Sequence, residues 1–170
     1  MTYREKKIVH RPVINSLGDK DYHPLLKNIY QRRDIQGSDH LDYSLKNLIE
    51  PQLLKDGEQA ADILYRSLSN DGKVLIIGDY DADGATACVL AILVLKKMGF
   101  RCVDYLVPNR FEFGYGLSPE IAEIAIEQKP TLVITVDNGI NSHEGVSRLK
   151  DSGISVIITC LLYTSDAADD

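Results

Sequence analysis

Three aspartates on alternate positions, Asp79, Asp81 and Asp83, follow directly on the apolar run Val74 to Ile77, and Gly84 closes the acidic hexapeptide. Like charges this close repel one another and resist burial, and the usual remedy is a divalent cation held by hard oxygen ligands. A fourth acid, Asp137, stands in Thr135-Val136-Asp137-Asn138-Gly139 at the end of a second apolar run. Two acidic features, each at the end of an apolar run, point to metal-assisted chemistry. Asp79, Asp81, Asp83 and Asp137 are therefore the candidate metal ligands.

Blander roles compete for each residue. A single acid at a strand end often caps a helix or forms a turn, and Asp83, before Gly84 and Ala85, suits the N-cap of a following helix. Asp79, Asp81, Asp83 and Gly84 also match the first, third, fifth and sixth positions of a calcium-binding EF-hand loop. That match fails at its twelfth position, where Leu90 stands in place of a bidentate glutamate, and a strand precedes it where a helix belongs. A phosphoaccepting signalling domain also carries acids after its first strand and an Asp after its third, but has no use for three alternating acids.

The segment from Pro108 to Ser118 is unusual for a connector. Arg110 offers a planar fork suited to phosphate, the glycines let backbone approach a ligand, and the helix start at Ser118 is a potential anion site. Asn109, Arg110, Gly114, Tyr115 and Gly116 are the candidate substrate-binding residues. The alternative is a Gly-rich turn with Phe111 and Phe113 packed beside the core. His10, His23, His40 and His143 have no metal-ligand spacing and are expected at the surface or at helix caps.

These residues need a frame. Apolar positions between Glu58 and Leu68 fit one face of a helix, which ends in the turn signal Ser69 to Gly72. Lys73 to Gly78 is a short unbroken apolar run, as in a strand covered on both faces of a parallel sheet. Ala85 to Met98 reads as a buried helix ending at Gly99, and Cys102 to Val107 as the next strand. Ser118 and Pro119 start a helix that continues from Ile121 to Gln128. Thr131 to Val136 is a third strand, Asn141 and Glu144 resemble a capping box, and Ile154 to Thr159 is a fourth strand. Alternating strands and helices predict an α/β fold, a doubly wound, mostly parallel sheet with ligands beyond the strands' carboxyl ends. Residues 1–51, with Leu25, Leu26, Ile29 and Tyr30 at helical spacing and a polar stretch from Arg32 to Tyr43, read as an arm or cap preceding the catalytic region at 52–159.

The chain has 170 residues and a formal net charge of -6, three of those charges being Asp166, Asp169 and Asp170. Without them 22 acids face 19 bases, so global charge neither favours nor excludes a nucleic-acid partner. Cys88, Cys102 and Cys160 form no CxxC pair or zinc spacing and are expected as buried, reduced thiols. With no apolar stretch long enough to span a bilayer and no signal-type N-terminus, a cytoplasmic protein with no membrane partner is expected.

Taken together, GDYDADGATA (Gly78 to Ala87), VPNRFEFGYGLS (Val107 to Ser118) and TVDNGI (Thr135 to Ile140) resemble the RecJ branch of the DHH phosphoesterases. The likeness covers about Leu41 to Thr159 well and the N-terminal part loosely. It implies a 5′-3′ exonuclease specific for single-stranded DNA, acting in repair and recombination with manganese or magnesium in a two-metal site. Asp81, Asp83 and Asp137 match the family's metal-binding aspartates, with Asp79 adjacent. Within the superfamily the rival is a small-substrate phosphoesterase: an oligoribonuclease, a cyclic-dinucleotide phosphodiesterase or a pyrophosphatase. One departure is large. The family's fourth strand runs into an Asp-His-His signature, whereas here Thr159 is followed by CLLYTSDAADD. Residues 160–170 resemble the translation of a sequencing-library adapter, so the expectation is a domain truncated on its C-terminal side, with a non-native tail, that is inactive as it stands.

Overall fold

In the computed structural model, residues 9, 11–13, 22–33, 35, 37–114 and 116–160 are described. They fall into two compact units divided between Leu54 and Lys55. In the first, α1 (Pro24–Arg32) starts from His23, whose imidazole accepts from the Leu25 amide at 3.3 Å, and Arg32 donates to Asn28 at 2.7 Å. Three single 3-10 turns follow, Ser38–Leu41, Leu45–Asn47 and Pro51–Leu53. The first of them lies inside the stretch read as a polar linker. Beside the second, Lys46 pairs with Asp42 at 2.8 Å and helps hold that exposed carboxyl down at about 2.

The second unit runs α2 (Gly57–Ser69), β1 (Val74–Ile77), α3 (Ala82–Lys97), β2 (Val103–Leu106), α4 (Arg110–Phe113), α5 (Pro119–Glu127), β3 (Leu132–Val136), α6 (His143–Asp151) and β4 (Ser155–Thr159). The four strands form one parallel sheet in the order β2-β1-β3-β4. The two inner strands are buried along their whole length, as expected of β1, an unbroken apolar run, and of β3, apolar but for Thr135. Val74, Ile76, Leu132, Ile134 and Val136 pack under α2 and α3; Leu75, Ile77 and Val133 pack under α5 and α6.

Local signals account for the element ends. Ser118 caps α5 by accepting from Ile121 N at 3.3 Å, with Pro119 as the first helical residue. Beyond α3, Gly99 takes a φ of +106°, and the amides of Gly99 and Phe100 return to the carbonyls of Lys96 and Leu95, closing the helix in a Schellman motif.

Several expectations need correction. α3 is not a buried helix: only Gly84, Cys88 and Leu95 are buried, and its outward side exposes Val89, Leu90, Leu93 and Val94. Its alanines and leucines lack the polar stripe that would have revealed a two-sided helix. The cap of α6 is Ser142, with no side-chain hydrogen bond, so Asn141 and Glu144 form no capping box. The segment after β2 is not all loop, since α4 interrupts it. Of the cysteines, only Cys88 is buried; Cys102 is exposed and Cys160 half-buried. No helix among the described residues is long and apolar enough to cross a membrane. The tail from Leu161 to Asp170 lies outside the described residues.

Candidate metal centre

The chain leaves β1 toward β2 with α3 on one face of the sheet, and leaves β3 toward β4 with α6 on the other. The connections therefore diverge between β1 and β3, which is the switch point where open parallel sheets form a crevice for ligands. Both acidic loops open there. Ile77 and Thr135 share one rung of the ladder, and Asp79 and Asp137 each stand two residues beyond it.

Asp79 is 6 % exposed and accepts from the Tyr80 amide at 2.8 Å. Asp81, not Asp83, is the N-cap of α3: its Oδ1 accepts from Gly84 N at 2.8 Å. Helix thus begins three residues into the hexapeptide, which removes the twelve-residue loop that the calcium reading needs. Asp83 sits exposed in the first turn of α3, where a negative charge complements the helix N-terminus. Gly84 admits no side chain, because a Cβ there would lie 2.5 Å from Asp79 O and 2.7 Å from Asp79 N. That contact folds the acidic loop back onto the helix start.

Asp137 has a φ of +59°, in the left-handed region that Asp tolerates better than most residues. Next to it, Asn138 is 1 % exposed and donates through Nδ2 to Ile77 O at 3.2 Å and to Val136 O at 2.8 Å. Its Oδ1 is buried without a hydrogen-bond partner. Asn138 is not among the residues the sequence singles out, because the burial of its amide between two strands is a property only its neighbours reveal.

Asn109 is exposed, and its carbonyl accepts from Glu112 N and Phe113 N, starting α4. Gly114 and Gly116 take φ of +75° and +74°. Gly116 lies against the Asn138 side chain, a Cβ there falling 3.6 Å from Asn138 Cβ, so the glycine segment reaches the β3 loop. Phe113 packs against the core, as the turn reading expected. Tyr115 and the side chains of Arg110 and Phe111 lie outside the described residues.

The donor set is all carboxylate oxygen, which suits manganese or magnesium. In kind it fits such an ion; in number it is incomplete, since no three His, Cys, Asp or Glu side chains among the described residues are grouped to hold one. The acidic loops share a rim without closing on a common centre.

The sequence profile of the DHH family, N-terminal domain, matches residues 73–159, which span β1 through β4. The chain belongs to the DHH family. It is 47 % identical to the single-stranded-DNA-specific exonuclease RecJ of Haemophilus influenzae over 91 % of its own length and 27 % of that protein's. Against the same enzyme of Escherichia coli the identity is 43 % over 80 % of this chain and 24 % of the relative. The chain thus spans about a quarter of the length of these relatives. A crystal structure of RecJ with Mn2+ from Thermus thermophilus superposes with a TM-score of 0.57 at 27 % identity, over 77 % of this chain and 18 % of that one. Another, of exonuclease RecJ bound to manganese, gives 0.55 at 34 % identity over 60 % of this chain and 26 % of that one. Sheet order alone would suit a phosphoaccepting domain equally; the family match excludes that reading.

Proposed function

We propose that this chain is the N-terminal part of the catalytic domain of a cytoplasmic, RecJ-type exonuclease that degrades single-stranded DNA from the 5′ end. The observation that supports the reading is the opening of the DYDADG and VDNG loops on one rim, at the switch point between β1 and β3, in a chain 43–47 % identical to RecJ exonucleases. Asp81, Asp83 and Asp137, with Asp79 beside them, would hold manganese or magnesium. The bound cations would lower the pKa of water for attack and neutralise charge developing on the scissile phosphodiester.

The remaining work falls to the protein's own groups. Asp81 is fixed by its cap bond to Gly84 N, which leaves Oδ2 for a cation. The segment Asn109 to Gly116 borders the same rim, and its positive-φ glycines would let backbone approach a phosphate. Arg110 and Tyr115 are proposed to complete that contact.

No two histidines are adjacent in the sequence, so this chain carries no Asp-His-His run to finish the ligand set. By itself it is expected to bind Mn2+ weakly and to leave 5′-labelled single-stranded DNA intact. The decisive experiment grafts residues 1–159 in place of the matching segment of the Haemophilus influenzae relative. Manganese-dependent 5′-3′ digestion of single strands that Asp81→Ala abolishes is the expected result. A folded chimera that binds Mn2+ but does not digest would overturn the assignment.

A further inference from the structure

We propose that Asn138 is the positioning residue that couples the β1 acids to Asp137, an inference that rests on the metal-site reading above. Its side-chain amide ties the last residue of β1 to the last residue of β3 by donating to the carbonyl of Ile77, 61 positions before it in sequence, and to that of Val136. Both acceptors are carbonyl oxygens, so the amide can present only its nitrogen to them. Two residues beyond Ile77 stands Asp79; the residue after Val136 is Asp137. A single planar group therefore sets the separation of the two loops.

The same side chain shapes Asp137 itself. The bond from Asn138 Nδ2 to Val136 O spans Asp137 in sequence, and Thr135 Oγ1 donates to Asn138 O at 2.8 Å across the same turn. These bonds enclose the left-handed turn at Asp137, a conformation L-residues adopt at a cost unless their surroundings over-determine it. Thr159 Oγ1 extends the brace by donating to Thr135 O at 2.8 Å, so hydrogen bonds link the carboxyl ends of β4, β3 and β1.

The orphaned oxygen strengthens the argument. Asn138 Oδ1 is buried without a partner, and an unpaired buried polar atom is destabilising. An apolar side chain would avoid that cost but could not donate to either strand. The donor end therefore accounts for an amide here, and Gly116, at a φ of +74°, brings the glycine segment to within ordinary contact of it.

Amide NMR of this chain tests the proposal, first without metal. The Asn138 side-chain protons should exchange about tenfold more slowly than those of the exposed Asn70; equal rates would overturn the clasp. On titration with Mn2+, paramagnetic broadening should reach residues 79–84 and 137–139 of the wild type with one shared midpoint. In Asn138→Asp, which keeps the shape but loses the donor, or in Thr135→Val, the two loops should broaden at separate midpoints. Leu149→Ala, a destabilising change in α6 that removes none of these hydrogen bonds, should keep the shared midpoint. Shared broadening at the wild-type midpoint in the folded Asn138 variant sinks the positioning role while leaving the metal site standing. Absence of broadening at either loop in the wild type sinks both.

Discussion

At the residue scale, two contacts make sharp demands. Gly84 sits where α3 presses on the Asp79 backbone, and the atoms a methyl would strike are backbone atoms with nowhere to go. Gly84→Ala should lose about 1–3 kcal/mol in urea unfolding, as overpacked sites do, and should weaken Mn2+ binding because the acidic loop must shift. Unchanged affinity in a folded variant would show that the loop is adaptable. Cys88 makes a different demand. Burial between α3 and the sheet pushes its thiol above the ordinary value of 9.0. The folded state therefore keeps a proton that the unfolded chain loses first, and stability declines as pH rises past that value. Iodoacetamide at pH 8 should label the exposed Cys102 in minutes and spare Cys88 until denaturant is added.

At the scale of elements, α3 is the informative case. One of its sides carries Cys88 and Leu95 into the core, while Val89, Leu90, Leu93 and Val94 face outward. Placing lysine at Leu90 and Leu93 should change stability by no more than about 0.5 kcal/mol each, since neither side chain is packed. Leu149→Ala in α6, where the side chain is fully buried, should cost about 2–5 kcal/mol. Thermal melts of the three variants separate the cases, and a large loss from either lysine would mean that the outward side of α3 is covered in solution. Nothing in the composition of α3 distinguishes its two sides, which is why the sequence reads it as buried throughout. By contrast β1 and β3 declare themselves, because only a strand covered on both faces carries three or four large apolar residues in a row.

At the scale of the whole molecule, stability is uneven. Among the described residues, α1 and the turns Leu45–Asn47 and Pro51–Leu53 bury no side chain, whereas the inner strands of the second unit are sealed. Amide exchange should therefore be fastest across residues 22–54 and slowest in Val74–Ile77 and Leu132–Val136. Mass-spectrometric exchange measurements resolve the two regions, and equal protection would contradict the division. The match to the DHH family, N-terminal domain, begins at residue 73 and covers the sheet, so it falls on the part of the chain with a core.

The sequence by itself determined the parallel α/β architecture, the acids at the ends of β1 and β3 and the family, because apolar run lengths and short acidic loops are local properties of the chain. It could not choose between Asp81 and Asp83 as the cap of α3, since both have the right side chain and only the path of the backbone into the helix selects one. Nor could it single out Asn138, whose importance comes from a carbonyl 61 residues away. Strand order and register decided those points: residues distant in sequence acquire a shared role only when the sheet sets their backbone groups within hydrogen-bonding distance.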